Sequence, residues 1–134
     1  MNASYLNARQ IKIETSDHKY KNSTPSEIKK LLFLSYKKLI GIPFMNKDLG
    51  IKIEFINDGV KKLSYGSKFY SKKACLLDVV KPIIEEMTYN NWGKRKLSDK
   101  STVIGYFNFK CKVYINGLPE NLRIAIQVRT NGRF

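Results

Sequence analysis

From Val103 to Ile115 the chain alternates with a period of two. Val103, Gly105, Phe107, Phe109, Cys111, Val113 and Ile115 are apolar or glycine, and the intervening positions are mostly polar: Tyr106, Asn108, Lys110, Lys112, Tyr114. A run this long with that period reads as a strand with one buried and one wet face. After "NGLPEN" (116–121) the alternation resumes in "LRIAIQVRT". There Leu122, Ile124, Ile126 and Val128 share one side, and Arg123, Ala125, Gln127 and Arg129 share the other. The pair predicts a long antiparallel hairpin. Pro119 disfavours a two-residue turn at Asn116-Gly117, because the proline would then sit inside the return strand. With all six residues as loop, Ile115 faces Leu122, Tyr114 faces Arg123, Lys110 faces Gln127 and Asn108 faces Arg129. A slip by one residue would bury the charges, so the faces are set more firmly than the pairing.

What precedes the hairpin must cover its apolar side. Thr24, Pro25 and Glu27 spell a capping box with proline at the first helical position. The helix that follows places Ile28, Leu31, Leu32, Leu34, Ser35 and Leu39 on a core-facing stripe, and Gly41 and Pro43 end it. "NKDLGIKIEF" (46–55) is turn-like at its start and then alternates, with Ile51, Ile53 and Phe55 inward. "NDG" (57–59) is a hairpin signal, with "VKKLSYGS" as the return arm. A second helix is expected from about Ser71 to Met87 on the stripe Leu76, Val80, Ile83, Ile84 and Met87, kinked or broken by Pro82. "YNNWGKRKLSDKS" (89–101) reads as a polar, basic connection. The fold class is therefore α+β: two helices packed on one face of an antiparallel sheet of about four to five strands. The chain reads as a single domain, 1–134. Residues 1–23 form an extension whose order the sequence leaves open, carrying a short alternation in "QIKIE".

Charge bears on function. Lys and Arg number 25 against 11 Asp and Glu, a formal net charge of +14. A domain this basic attracts polyanions, RNA or DNA before an anionic membrane. The wet face of the hairpin collects Tyr106, Asn108, Lys110, Lys112, Tyr114, Arg123, Gln127 and Arg129. Cations there meet phosphate, and tyrosine rings offer bases a stacking surface. The plain alternative is a solvated sheet face, where Tyr and Lys are ordinary strand residues. Most established chemistries are excluded by residue count. His18 is the single histidine, which removes a histidine-pair ribonuclease. Asp and Glu are sparse and scattered, no glycine-rich phosphate loop is present, and no Cys/His spacing suits zinc. No cofactor is expected. Cys75 and Cys111 read as buried thiols. No signal peptide or membrane span is seen, so a cytoplasmic protein with no membrane partner is expected.

"NKDLGIKIEF", "GVKK", "ACLLDVVKPI" and "VYINGLPENLRIAIQVR" resemble the third class of large polyvalent protein-associated domains of phages, over about Ile42 to Arg129. The matching positions include Asn46, Gly50, Ile53, Phe55, Gly59, Lys62, Leu77, Gly117, Arg123 and Val128. That pattern is similar to the barnase–EndoU–colicin–RelE-like fold, whose members mostly cleave RNA. The resemblance implies a phage or mobile-element protein acting in a bacterial host cell, with Lys61, Lys62, Arg123 and Arg129 as active-face cations. As a metal-independent endoribonuclease or toxin, it would use Lys62, Arg123 and Arg129 to stabilise a pentavalent phosphate, and Tyr106 or Glu54 to handle protons. Lys61, Asn108, Lys110, Lys112, Tyr114 and Gln127 would bind the nucleic acid. The alternative is a non-enzymatic phage inhibitor of a host defence nucleoprotein, of the anti-CRISPR kind. A third reading is a structural module that docks to a partner through its apolar edge. The sequence is silent on oligomeric state.

Overall fold

A computed structural model describes residues 11–56 and 70–134. In chain order the elements are β1 (Ile13–Thr15), a 3-10 turn (His18–Tyr20), α1 (Pro25–Leu39), β2 (Pro43–Asn46), β3 (Ile51–Glu54), α2 (Tyr70–Leu77), α3 (Val80–Glu86), β4 (Thr88–Lys94), β5 (Val103–Ile115) and β6 (Leu118–Arg129). The class is α+β. The described residues hold three helices rather than two, and the strands divide into a four-stranded mixed sheet and a two-stranded one.

β5 is the axis of the larger sheet. β6 runs antiparallel along one edge of it. β4 (antiparallel) and β1 (parallel) take successive stretches of the other edge. The β5–β6 pairing differs from the one expected. Ile115 faces Leu118, Tyr114 faces Pro119, Lys110 faces Arg123 and Asn108 faces Ala125. Asn116 and Gly117 have φ of 54° and 79°, the left-handed pair a two-residue type I′ turn requires. Pro119 does not prevent this turn, because the second pair from such a turn is a non-hydrogen-bonded one. Its missing N–H therefore belongs to the outer edge of an edge strand. From Gly105 to Ile115 the register moves by four residues, an even number, so those side chains keep their faces; the pairing slips by one more at Val103, which faces Arg129.

The capping box forms as expected: the Thr24 hydroxyl accepts from the Glu27 N–H, and the Glu27 carboxylate accepts from the Thr24 N–H. The buried stripe of α1 is narrower than predicted. Ile28, Leu32 and Tyr36 are buried, whereas Leu31 and Leu34 are exposed. Tyr36 takes the third buried place because its ring meets Phe55 edge-on at 5.3 Å while its hydroxyl reaches the Ile56 carbonyl at 3.1 Å. The expected 71–87 helix breaks at Asp78-Val79, not at Pro82 itself. A proline ring clashes with the carbonyl four residues earlier, here Asp78, so the break falls there. Pro82 is left in the first turn of α3, where its N–H would have no helical partner.

"NKDLG" is the turn of the β2–β3 hairpin, with Phe44 facing Ile53. It joins Ile51–Glu54 to the preceding Pro43–Asn46. The "NDG" turn and its return arm lie outside the described residues. Asn46 is fully buried and holds this hairpin to the helices. Its Nδ2 donates to the carbonyls of Ile84 (2.8 Å) and Met87 (3.0 Å), and its Oδ1 accepts from the Leu49 N–H at 2.9 Å. Phe44, Ile53, Ile84, Met87 and Phe109 form the central core, and Ile13, Ile83 and Val113 a second cluster beside it. Helices and small sheet thus cover the odd-numbered side of β5 and leave the even-numbered side outward.

Candidate nucleic-acid interface

The cross-strand register fixes which side chains share the outward side. On β5 they are Tyr106, Asn108, Lys110, Lys112 and Tyr114. Opposite them on β6 lie Gln127, Ala125, Arg123, Asn121 and Pro119. On the other edge Gly93 faces Tyr106, Asn91 faces Asn108 and Thr88 faces Lys110, while Glu14 of β1 faces Tyr114. Arg129 is two residues beyond Gln127 along β6, at the end of the face, where it pairs with the buried Val103 across a register shift. Lys110, Lys112 and Arg123 are exposed and Arg129 is half-buried.

Two features distinguish this face from a neutral solvated one. Lys110 stands directly opposite Arg123, with Lys112 on the adjacent diagonal. Like charges at facing positions, with Cβ atoms about 5 Å apart, destabilise a sheet. In addition, none of Lys110, Lys112, Arg123 and Arg129 belongs to an ion pair among the described residues. The carboxylates are occupied elsewhere: Glu120 with Lys72, Glu86 with Lys47, Asp78 with Lys19 at 2.8 Å, and Glu54 with Arg133 at 4.0 Å. Glu14, the acid at the margin of the face, is 3.4 Å from Lys12.

The polar groups between the cations are ordered. Asn108 Nδ2 donates to Asn91 Oδ1 at 3.0 Å. A Cβ on Gly93 would stand 2.8 Å from that Nδ2, so glycine there leaves room for the amide pair. Both tyrosines are engaged. Lys12 Nζ lies 4.4 Å from the centre of the Tyr114 ring, a cation–π contact that occupies one ring face. The Tyr106 hydroxyl donates to Asp99 Oδ2 at 2.7 Å. Burial, and after it the Asp99 bond, push the Tyr106 phenol above its ordinary value, while the Gln127 side chain pulls it the other way. Tyr106 is therefore a protonated donor at neutral pH.

Of the residues singled out in the sequence, Tyr106, Asn108, Lys110, Lys112, Tyr114, Arg123 and Gln127 are brought together on this face, with Arg129 at its end beside the bulge. Glu54 is not. It lies on β3, whose Ile53 packs with Phe109 on the covered side, and it borders a shallow groove with Lys52, Gly132, Arg133 and Phe134. Lys61 and Lys62 lie outside the described residues. The sequence reading missed Lys12 and Asp99. Nothing local marks Lys12, since β1 reaches β5 from about a hundred residues away. "KLSD" marks a turn by its Ser-Asp pair, but the bond from the Lys96 N–H back to Asp99 and the one from Tyr106 are seen only in the structure. Among the described residues no helix is long and apolar enough to cross a membrane, and no group of His, Cys, Asp or Glu could hold a metal ion.

Fold and face together define a small α+β domain with a cationic, outward sheet face. The chain belongs to the family of large polyvalent protein-associated domain 3, whose model matches residues 24–134. The match begins at the N-cap of α1 and so takes in that helix, beyond the Ile42–Arg129 span noted in the sequence. No curated protein and no solved structure matches the chain.

Proposed function

We propose that this domain binds RNA through the outward face of β4–β5–β6, as part of a phage or mobile-element protein acting in a bacterial host. The observation that carries the reading is the Lys110–Arg123 facing pair, flanked by Lys112 and Arg129, with no acid offsetting it. An arrangement that weakens the sheet is retained where a polyanion neutralises it. Arginine adds forked donors suited to phosphate. Family membership supports the setting, since such domains are associated with large polyvalent proteins.

Binding is better supported than cleavage. Strand cleavage by the 2′-hydroxyl needs a proton acceptor beside the cations. Glu54 is on the other side of the core, and Tyr106 holds its proton against Asp99. The test is retardation of single-stranded RNA by the purified chain across a salt series, with the RNA then examined for fragments ending in 2′,3′-cyclic phosphate. Retarded, intact RNA is expected. Arg123→Ala with Arg129→Ala should flatten the slope of log affinity against log salt by about 1.4, two contacts at about 0.7 each for a single strand. An unchanged slope refutes the face as the footprint, and cyclic-phosphate fragments in EDTA would establish the endoribonuclease instead.

A further inference from the structure

The connection between β4 and β5 is a built element. The Asp99 N–H donates to the Lys96 carbonyl at 3.0 Å and the Val103 N–H to the Lys100 carbonyl at 2.9 Å. Arg95 Nη2 donates to the carbonyls of Asp99 (2.8 Å) and Lys100 (3.2 Å). The Thr130 N–H donates to the Thr102 carbonyl at 2.8 Å, tying the end of the turn to the end of β6. At the centre is one carboxylate oxygen. Asp99 Oδ2 accepts from the Lys96 N–H at 2.7 Å and from the Tyr106 hydroxyl at 2.7 Å. Tyr106 stands on the outward face, opposite Gly93 and Gln127. Asp99 thus draws a turn bearing Arg95, Lys96 and Lys100 onto the Arg129 end of the cationic face.

We infer that the Arg95–Lys100 turn is a second arm of the RNA interface, that it contacts the sugar–phosphate backbone beyond Arg129, and that Asp99 is the positioning residue that seats it through Tyr106. The inference rests on the RNA-binding reading above. From Tyr106 to Lys112 the face spans about 20 Å at about 3.4 Å per strand residue. That matches roughly six stacked nucleotides at about 3.4 Å each, and the arm lengthens the track past that. Lys12 covers one face of the Tyr114 ring and Asp99 holds the Tyr106 hydroxyl, while Lys110, Lys112 and Arg123 have no acidic partner among the described residues, so the ligand is recognised chiefly by its phosphates.

The test uses the full chain and a twelve-nucleotide oligouridylate over a salt series. Lys96→Gln with Lys100→Gln should lower the slope of log affinity against log salt by about 1.4. Asp99→Ala decides the positioning role by sign. It removes an acid and makes the protein more basic, so attraction by net charge alone predicts tighter binding, whereas loss of the seated arm predicts weaker binding and a shallower slope. Asp99→Asn keeps a side-chain oxygen acceptor at the same place and should bind at least as well as wild type. If Asp99→Ala does not fold by circular dichroism, Tyr106→Phe removes the same bond without changing charge and should also flatten the slope. Tighter binding by Asp99→Ala, or an unchanged slope in the Lys96/Lys100 double variant, overturns the arm. When the Arg123/Arg129 variant still loses slope, the failure belongs to the arm and not to the RNA-binding reading. A wild-type chain that binds no oligouridylate removes both.

Discussion

Lys110→Glu should make the protein more stable and a poorer RNA binder at once. Lys110 faces Arg123 across the β5–β6 ladder, and neither has an acidic partner among the described residues. The substitution removes a like-charge facing pair and installs an opposite-charge one, each change worth about 0.2–1 kcal/mol, so the gain is about 0.4–2 kcal/mol. For a chain of this size that is a rise of roughly 1–8 °C in Tm. Facing side chains lie well within the Debye length of about 10 Å at 0.1 M salt, so the gain should survive there and shrink towards 1 M, where that length is about 3 Å. Thermal melts at both salts measure it. On RNA, one phosphate contact is lost and an acid is added, so the slope of log affinity against log salt should fall by at least about 0.7. Opposite movements of stability and affinity cannot come from partial unfolding. A Tm that stays level or drops refutes the Lys110–Arg123 register. The pairing with a six-residue loop, which would put Gln127 opposite Lys110, gives no ion pair. A raised Tm with undiminished binding refutes the face as the RNA surface.

Other perturbations separate location from charge and probe the supports of the face. Replacing Lys29, Lys30, Lys37 and Lys38 of α1 by Gln removes four charges away from the sheet. The salt slope for RNA should stay within about one contact, 0.7, of wild type, and a loss as large as that from the face residues would show diffuse attraction instead of a site. Gly105→Ala would put a Cβ 2.2 Å from Trp92 Cζ2 and 2.6 Å from the Gly93 carbonyl oxygen. It should lose about 1–3 kcal/mol by overpacking and shift the emission of the single tryptophan to the red; unchanged emission would refute the seating of Trp92 over Gly105. Asn46→Ala leaves the carbonyls of Ile84 and Met87 without this partner in a buried place, while the Leu49 N–H it also releases lies in an exposed turn that water reaches, for a loss of about 2 kcal/mol or more read from the urea midpoint.

Legibility in the sequence followed the range of the interaction. The capping box at Thr24 and the two faces of β5 and β6 are set by neighbours a few residues apart, and each could be read directly. Register is ambiguous where two local rules meet. Asn116-Gly117 asks for a tight turn and Pro119 argues against one, and only the place of β6 at the edge of the sheet resolves the conflict in favour of the turn. Contacts between distant parts of the chain left no local mark. β1 pairs in parallel with the far end of β5, and β2 is recognisable only once Phe44 is seen against Ile53. β4 reads as a connection in the sequence because its alternation is interrupted between Tyr89 and Asn91. The interface is legible to the extent that it depends on alternation, and Glu54, a proton-handling group by chemistry but on β3 by position, is absent from it.

Net charge alone is a weak argument for a site, because lysines that merely solvate a surface also raise it. α1 shows such use: Lys30, Lys37 and Lys38 lie exposed along its outer side, and Lys29 sits 6.0 Å from the Phe33 ring. The sheet face differs in where the acids are. Lys19, Lys47 and Lys72 are paired with Asp78, Glu86 and Glu120, and Glu120, the one of these acids on the sheet, faces the buried Val113 and so points to the covered side. The acid that does reach this face from the β4–β5 turn, Asp99, accepts the Tyr106 hydroxyl and the Lys96 N–H. Its position brings further cations to the face, where a free carboxylate would have repelled phosphate. Selection for stability alone would favour an acid at position 110 or 123, since a single substitution supplies one. Lysine facing arginine at that place is what a phosphate ligand would favour, and the stability of Lys110→Glu measures how much the sheet gives up for it.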